Sequence, residues 1–276
     1  MPELPEIETL ARGLRPHAVG AVLHSVRVCD HPHWQQAAEL EGMRVLAVRR
    51  IGKHLLIDGD HDATLDVHLG MSGTVRMGAA APPMAQPMVQ HERVRLALRG
   101  SAGDVVVSLV DPRGFGHAHV GVRNADGTVA LPALLALGPD ALESWTPTDL
   151  TRAANGRRAP IKALLLDQHL VAGIGNYVAD EALFAARVRP ERASGSLGPL
   201  ALRRLHGAVL DVLQRSIDAG GASLRDYAHV DGGAGDMQRQ LSTYGRAGLP
   251  CVRCGRPLRR SIVAGRGTTS CTRCQR

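Results

Sequence analysis

The cysteines of CVRC (251–254) and CTRC (271–274), separated by sixteen residues, constrain the fold more than any other stretch. Paired CxxC units at this spacing suit a tetrahedral four-thiolate zinc site, which organises a short segment lacking a core of its own. An iron–sulfur centre, two disulfides or unliganded thiols are the competing readings of the same residues. Zinc bound by Cys251, Cys254, Cys271 and Cys274 would have no open coordination position, so the expectation is one structural Zn(2+) per chain. Cys29, alone in VRVCDHP, reads as an ordinary thiol.

The same stretch carries the charge. From Met237 to Arg276 lie nine of the 33 basic residues and none of the 26 acidic ones, so the rest of the chain is close to neutral. A basic end of this kind suits a polyanion-binding surface better than a solvated tail, because the cysteines fold it. An apolar fraction of 44% with 21% charged residues belongs to a folded protein, and an aromatic content of 3% leaves the core to Leu, Val, Ile and Ala. No run reaches the roughly 18 apolar residues of a membrane span, and the acidic start is unlike a targeting peptide. A cytoplasmic location, without a membrane partner, is expected.

Along the chain the hydrophobic period changes once. Ile7, Leu10, Ala11 and Leu14 form one helical stripe behind Pro5, a residue suited to a first helical turn. Candidate strands follow at 22–28, 44–50, 53–58, 63–69, 73–77, 93–99, 104–110 and 117–122, several alternating apolar and polar side chains. With no βαβ rhythm among them, the first half reads as an antiparallel β-sandwich or barrel carrying the opening helix. The Pro- and Ala-rich segment 78–90 reads as a long loop or flap, and 123–147 as a linker. Helical stretches then appear at 149–156, 160–168, 177–186 and 196–220, and the glycine-rich 230–236 precedes the cysteine module.

Chemistry can sit at the very start. Removal of the initiator methionine would leave Pro2 with a free secondary amine. An α-amino group titrates near ~8 rather than the ~10.4 of lysine, so a neutral fraction is present near pH 7. Such an amine can attack an aldehydic carbon and form an iminium. Glu3 adjoins it; Glu6 fits the ordinary role of an acid in a first helical turn. VAGIGN joins two helices through Gly173 and Gly175; the N–H groups at Asn176 read either as an anion site suited to phosphate or as part of a purely structural turn. Lys53 and His68 could face phosphate, although each alone reads as an ordinary polar residue. Met71 and Phe115, in GMSG and RGFG, are either core residues or wedges for insertion between bases.

Taken together, PELPEIE, HLGMSG, DPRGFG, the GIGN turn, DEALFAA, GG-x-(Ser/Thr)-L, YGR-x-G-x-PC and the closing GR-x-T with C-x-x-CQ occur in one order. In that order they resemble the bacterial formamidopyrimidine-DNA glycosylase (Fpg/MutM) family over essentially the whole chain. The resemblance implies a multidomain α+β enzyme. An N-terminal helix and antiparallel β-sandwich (1–130) would be followed by a hinge and helix-two-turn-helix domain with a capping loop (131–240), then a zinc-finger β-hairpin (241–276).

It further implies a monomeric bifunctional glycosylase and AP lyase acting on double-stranded DNA that contains oxidised bases or abasic sites, and hence nucleoid-associated. Pro2 would attack the sugar, Glu3 would serve as acid/base, Glu6 would support the terminus and Lys53 would lie beside the site. His68, Asn176 and Arg266 would clamp phosphates, while Met71, Arg113 and Phe115 would fill the gap left by a flipped base. His91 and Lys162 complete the expected DNA-binding set.

Three departures stand out. Gly114 replaces a basic residue in DPRRFG, which predicts weaker DNA contacts at unchanged chemistry. The aromatic of GIGNIYADE moves to Tyr177. VDGGAGDMQRQL lacks the lysine and aromatic usual in the capping loop and adds Asp236, which predicts a looser loop. Two rivals remain: an endonuclease VIII-like glycosylase for oxidised pyrimidines, disfavoured by PELPE in place of PEGPE, and a noncatalytic damaged-DNA binding protein.

Overall fold

The computed structural model describes residues 2–79, 87–101, 103–224 and 227–276. Most of the Pro- and Ala-rich segment, 80–86, lies outside the described residues. The chain forms two compact units, Met1–Ala136 with Ala219–Asp236, and Leu137–Asp218 with Met237–Arg276. No helix among the described residues is long and apolar enough to cross a membrane.

The first unit opens with helix α1 (Leu4–Ala18), Pro5 in its first turn, and its apolar stripe is buried as the spacing predicts. Burial of Ile7, Leu10 and Leu14 contributes roughly 1.5–3 kcal/mol each. Polar ties fix the same helix from the side. Glu8 receives Arg12, Arg15 and, at 3.3 Å, Arg50, while Arg15 Nε donates to the Val48 carbonyl at 2.7 Å.

Eight strands follow: β1 (Val22–Val28), β2 (Val45–Ile51), β3 (His54–Gly59), β4 (Ala63–His68), β5 (Thr74–Ala79), β6 (Glu92–Gly100), β7 (Gly103–Val110) and β8 (His117–Val122). They pair antiparallel in two sheets, ordered β1-β6-β7-β5 and β2-β3-β4-β8. Leu55, Ile57, Leu65 and Val67 of one sheet share a core with Val94, Leu96, Leu98 and Val107 of the other and with α1. Two one-turn helices, α2 (Pro32–Gln35) and α3 (Pro132–Leu135), have no counterpart in the sequence reading, since four residues are too few to show a period.

Segment 219–236, which the sequence reading carries with the second domain, makes its contacts with the first unit. Val230 accepts from the Met77 N–H at 2.6 Å, and the Ala222 N–H reaches Glu6.

The second unit holds α4 (Pro147–Ala154), α5 (Ile161–Leu166), α6 (Asn176–Ala185) and α7 (Pro199–Asp218), then the hairpin β9 (Arg259–Val263) and β10 (Arg266–Ser270). Thr146 and Asp149 close a capping box at the start of α4. Helix α6 packs on both α5 and α7, so its first turn is presented from a rigid base. The architecture is thus the expected sandwich with its opening helix, a helical domain and a terminal β-hairpin.

Candidate functional site

The ordered terminus is explained by Glu6. Pro2 and Glu3 are buried, and the Glu3 N–H donates to Glu6 Oε2 at 2.8 Å. Glu6 Oε1 accepts the Ala222 N–H at 2.7 Å, from 216 residues away. Charge-assisted bonds of this kind are about twice as strong as neutral ones. The GG of GGASL has a physical reason: Gly220 and Gly221 both adopt positive φ (71° and 81°). A Cβ on Gly221 would stand 3.0 Å from Glu6 Oε1 and from the Tyr227 ring. Glu6 therefore locks the start of α1 onto a distant loop, and Lys53 lies buried in the turn between β2 and β3.

That loop is also closed on itself. His229 Nε2 meets the Gly220 carbonyl at 2.8 Å, Gly233 donates to Asp231 at 2.9 Å and Gly235 to Ser223 Oγ at 3.0 Å. Residues 225 and 226 lie outside the described residues.

Met71 and Phe115 are 38% and 58% exposed, as wedges rather than core residues would be. Asp111 builds the base beneath them. Its carboxylate accepts from Ser72 Oγ at 2.8 Å, the Arg113 N–H at 3.2 Å and the Gly116 N–H at 2.8 Å, joining GMSG to DPRGFG. Gly70 (φ 57°) lets the two turns touch, since a Cβ there would sit 2.6 Å from the Phe115 carbonyl carbon. Arg113 lies over the Phe115 ring at 4.8 Å, and His91, φ 65°, is exposed nearby, its carbonyl accepting the Asp111 N–H at 2.9 Å. Sequence reasoning passed over Asp111, although an aspartate opening a Pro-Arg-Gly turn is a recognisable signal.

His68 ends β4, half-buried. Its Nδ1 accepts the Gly70 N–H at 3.2 Å, so the neutral ring carries its proton on Nε2 and can donate from there. Burial, then the neighbouring His54 and His117, pushes its pKa down to about 3.

In the second unit, Asn176 begins α6 and donates through Nδ2 to the Gly267 carbonyl at 3.0 Å, next to the exposed Arg266. Lys162, expected on the DNA-binding surface, is instead fully buried. Its ammonium contacts Asp180 at 2.6 Å, Thr268 Oγ1 at 2.7 Å and the Gly267 carbonyl at 3.3 Å, so it holds β10 from behind. Asp180 also accepts the Thr269 N–H at 3.0 Å. Burial pushes its pKa up to about 6 against the pull of Lys162, leaving it ionised at neutral pH. Glu181 takes the N–H groups of Ser242, Thr243 and Tyr244. The two acids of DEALFAA thus anchor the hairpin and the YGR segment. The displaced aromatic, Tyr177, is buried and meets the Tyr244 ring edge-on at 6.2 Å.

The four cysteine sulfurs converge within 4.8 Å of one another, with Cys251–Cys274 at 3.9 Å and Cys254–Cys271 at 3.5 Å. These separations are far beyond a disulfide and bracket the ~3.8 Å between thiolates on a tetrahedral zinc with bonds of about 2.3 Å. Backbone N–H groups of Arg253 and Cys274 point at Cys251 and Cys271 sulfurs, 3.4 Å each, as thiolate acceptors require. The donor set fits a closed, structural Zn(2+) site.

The formamidopyrimidine-DNA glycosylase N-terminal domain matches residues 1–118, the formamidopyrimidine-DNA glycosylase H2TH domain 137–228, and the zinc finger found in FPG and IleRS 248–276. The formamidopyrimidine-DNA glycosylase of Thermus thermophilus is 43% identical across all of this chain and 98% of its own; that of Aromatoleum aromaticum is 42% identical with both chains fully covered. The crystal structure of the MutM (Fpg) protein from Thermus thermophilus superposes with a TM-score of 0.87 at 42% identity, covering 99% of this chain and 98% of that one. Lactococcus lactis Fpg in complex with abasic-site DNA gives 0.86 at 30% identity, with full coverage of both. This chain belongs to the formamidopyrimidine-DNA glycosylase family.

Proposed function

We propose that the chain is a bifunctional DNA glycosylase and AP lyase that excises oxidised purines, 8-oxoguanine and formamidopyrimidines, from duplex DNA. The observation that carries this reading is the buried Pro2–Glu3 start of α1, held by Glu6 through the Glu3 and Ala222 N–H groups. A terminus fixed in this way presents its amine at one place, which is what attack on a sugar carbon requires.

The Pro2 nitrogen adds to the deoxyribose C1′ as the bond to the damaged base breaks. Glu3 exchanges protons with the sugar ring oxygen as the ring opens to an iminium. Loss of the C2′ proton expels the 3′ phosphate, and a second elimination releases the 5′ phosphate. Lys53 supplies positive charge beside the lesion. His68 donates to a phosphate through Nε2, while Asn176 and Arg266 supply further phosphate contacts. Met71 and Phe115, with Arg113, occupy the space of the extruded nucleotide, whose flipping costs a few kcal/mol, roughly. Lys162 positions Arg266 through β10 rather than touching DNA. Zinc, held by the four cysteines, supplies no chemistry; it fixes the hairpin that carries Arg266.

This reading implies a monomer in the bacterial cytoplasm, associated with the nucleoid through DNA. A methionine or tag retained ahead of Pro2 tests it. Base excision from 8-oxoguanine duplexes should be abolished with DNA affinity largely kept; normal turnover from a verified blocked terminus would refute it. Thymine glycol as the clearly best substrate would shift the lesion preference to oxidised pyrimidines.

A further inference from the structure

The face of β3, β4 and β8 turned away from the shared aliphatic core carries, beside His68, three residues that the glycosylase reading does not use: His54, Asp66 and His117. His54, His68 and His117 are direct register partners across the three strands, and Asp66 lies on the same face two residues before His68. The Asp66 side chain is fully buried, with His54 Nδ1 at 2.8 Å from one carboxylate oxygen and His117 Nε2 at 3.2 Å from the other.

We propose that His54, Asp66 and His117 form a second metal site, separate from the four cysteines, for a divalent transition ion of the zinc, cobalt or nickel class. The three donor atoms lie within 4.8 Å of one another. Two ligands of one ion with bonds of about 2.0–2.1 Å stand about 2.9–3.4 Å apart; the His117–Asp66 separation of 3.2 Å lies inside that range, the His54–Asp66 separation of 2.8 Å just below it, and the widest spacing of the set, up to 4.8 Å, has to close. Closing the set onto an ion asks for side-chain rotation, not a change of strand register.

Two imidazoles and one carboxylate select this class over calcium or magnesium, which prefer oxygen ligands throughout. Binding requires each ring to carry its proton on the nitrogen facing away from Asp66, a tautomer change that releases no proton from a neutral ring. The buried Asp66 carboxylate then offsets one of the ion's two charges, and the imidazoles bind as neutral ligands.

An entry path is built in. His117 stacks on His119 at 4.3 Å with an interplanar angle of 11°, and His119 meets the exposed His33 at 6.4 Å. The imidazoles therefore step from the surface to Asp66. Only the three ligands are assigned to the ion; His68 keeps the Gly70 N–H on Nδ1.

The test uses the full chain with zinc already in the cysteine site and Co(2+) as the probe, followed by metal analysis and visible absorption. One Co(2+) per chain should bind beyond the resident zinc, giving weak d–d bands without a thiolate charge-transfer band. His117→Ala should weaken it by more than the roughly 10–100-fold that loss of an outer-shell partner costs, while His119→Ala binds near wild type. Asp66→Asn, checked for folding by its retained zinc, should lose the site as well. A wild-type chain that takes up no second ion at micromolar Co(2+), or a His117→Ala variant that binds like wild type, overturns the proposal without reference to DNA activity.

Discussion

The two ends of the chain are held in opposite ways. The opening helix is one side of a broad aliphatic core drawn from both sheets, and its carboxylates add ties to a framework that burial already makes. The cysteine hairpin packs Cys251, Leu258 and Cys271 with Phe184 of α6 into a small buried cluster. Its order comes from thiolate geometry and from polar anchors on α6: Asp180, Glu181 and the Phe184 carbonyl, which accepts from Arg253 at 2.6 Å. In the proposed function, the terminus that would hold the reacting amine is built on burial, whereas the arm that would present an arginine is built on a metal site and a few charged bonds. The two should fail independently.

Zinc removal breaks the comparison most severely. Apparent binding energies of structural zinc reach about 10–16 kcal/mol in small modules, and that energy is folding energy. Chelation or Cys251→Ser should abolish hydrogen-exchange protection across 248–276 while strands 22–122 keep theirs. Equal loss in both would show that the hairpin is not a separate element.

Asp180→Asn comes next. It leaves the Lys162 ammonium buried with its carboxylate partner gone, a change that costs about 3–5 kcal/mol. Urea denaturation should show that loss, and a paired Lys162→Met, Asp180→Leu variant should recover most of it. A single variant as stable as wild type would remove the buried pair from the account.

In the first unit, Gly221→Ala places a side chain at φ 81° against Glu6 and Tyr227. The left-handed backbone alone costs about 1–2 kcal/mol, and trapping at Pro2 should slow as the Glu6 contact shifts. A rate unchanged by the substitution would separate Glu6 from the terminus.

Gly114→Arg is the mildest change. At φ 67° it carries a similar backbone cost, but among the described residues a Cβ there meets only the Arg93 guanidinium, at 3.8 Å, and the added arginine supplies the charge missing from DPRGFG. Binding should gain about one unit of salt slope. An unaltered slope would mean that position 114 does not face the DNA backbone.

Much of this was legible in the sequence. Apolar strand runs, several of them alternating, placed all eight strands of the sandwich within a residue or two, and the Ile7–Leu14 stripe placed α1, because such signals are local. The zinc ligands were legible because CxxC spacing is itself a geometric statement. Asp111, opening its own turn, was legible and passed over; Asp180 and Glu181 were not legible, although their motif was quoted, since an acid that binds backbone N–H groups in a distant loop leaves no period. Burial of Lys162 was illegible for the same reason: its partners Asp180 and Thr268 lie 18 and 106 residues away. The tie from Ala222 to Glu6 spans 216 residues, and it is the one on which the proposed reacting end depends.

The most direct measurement is borohydride trapping of the native-terminus protein on an 8-oxoguanine duplex, followed by peptide mapping of the cross-link. The account predicts a stoichiometric covalent complex whose linkage maps to the Pro2 nitrogen and disappears when methionine is retained. A cross-link mapped to Lys53 or any other amine, or none formed by a preparation that still excises the base, would contradict it.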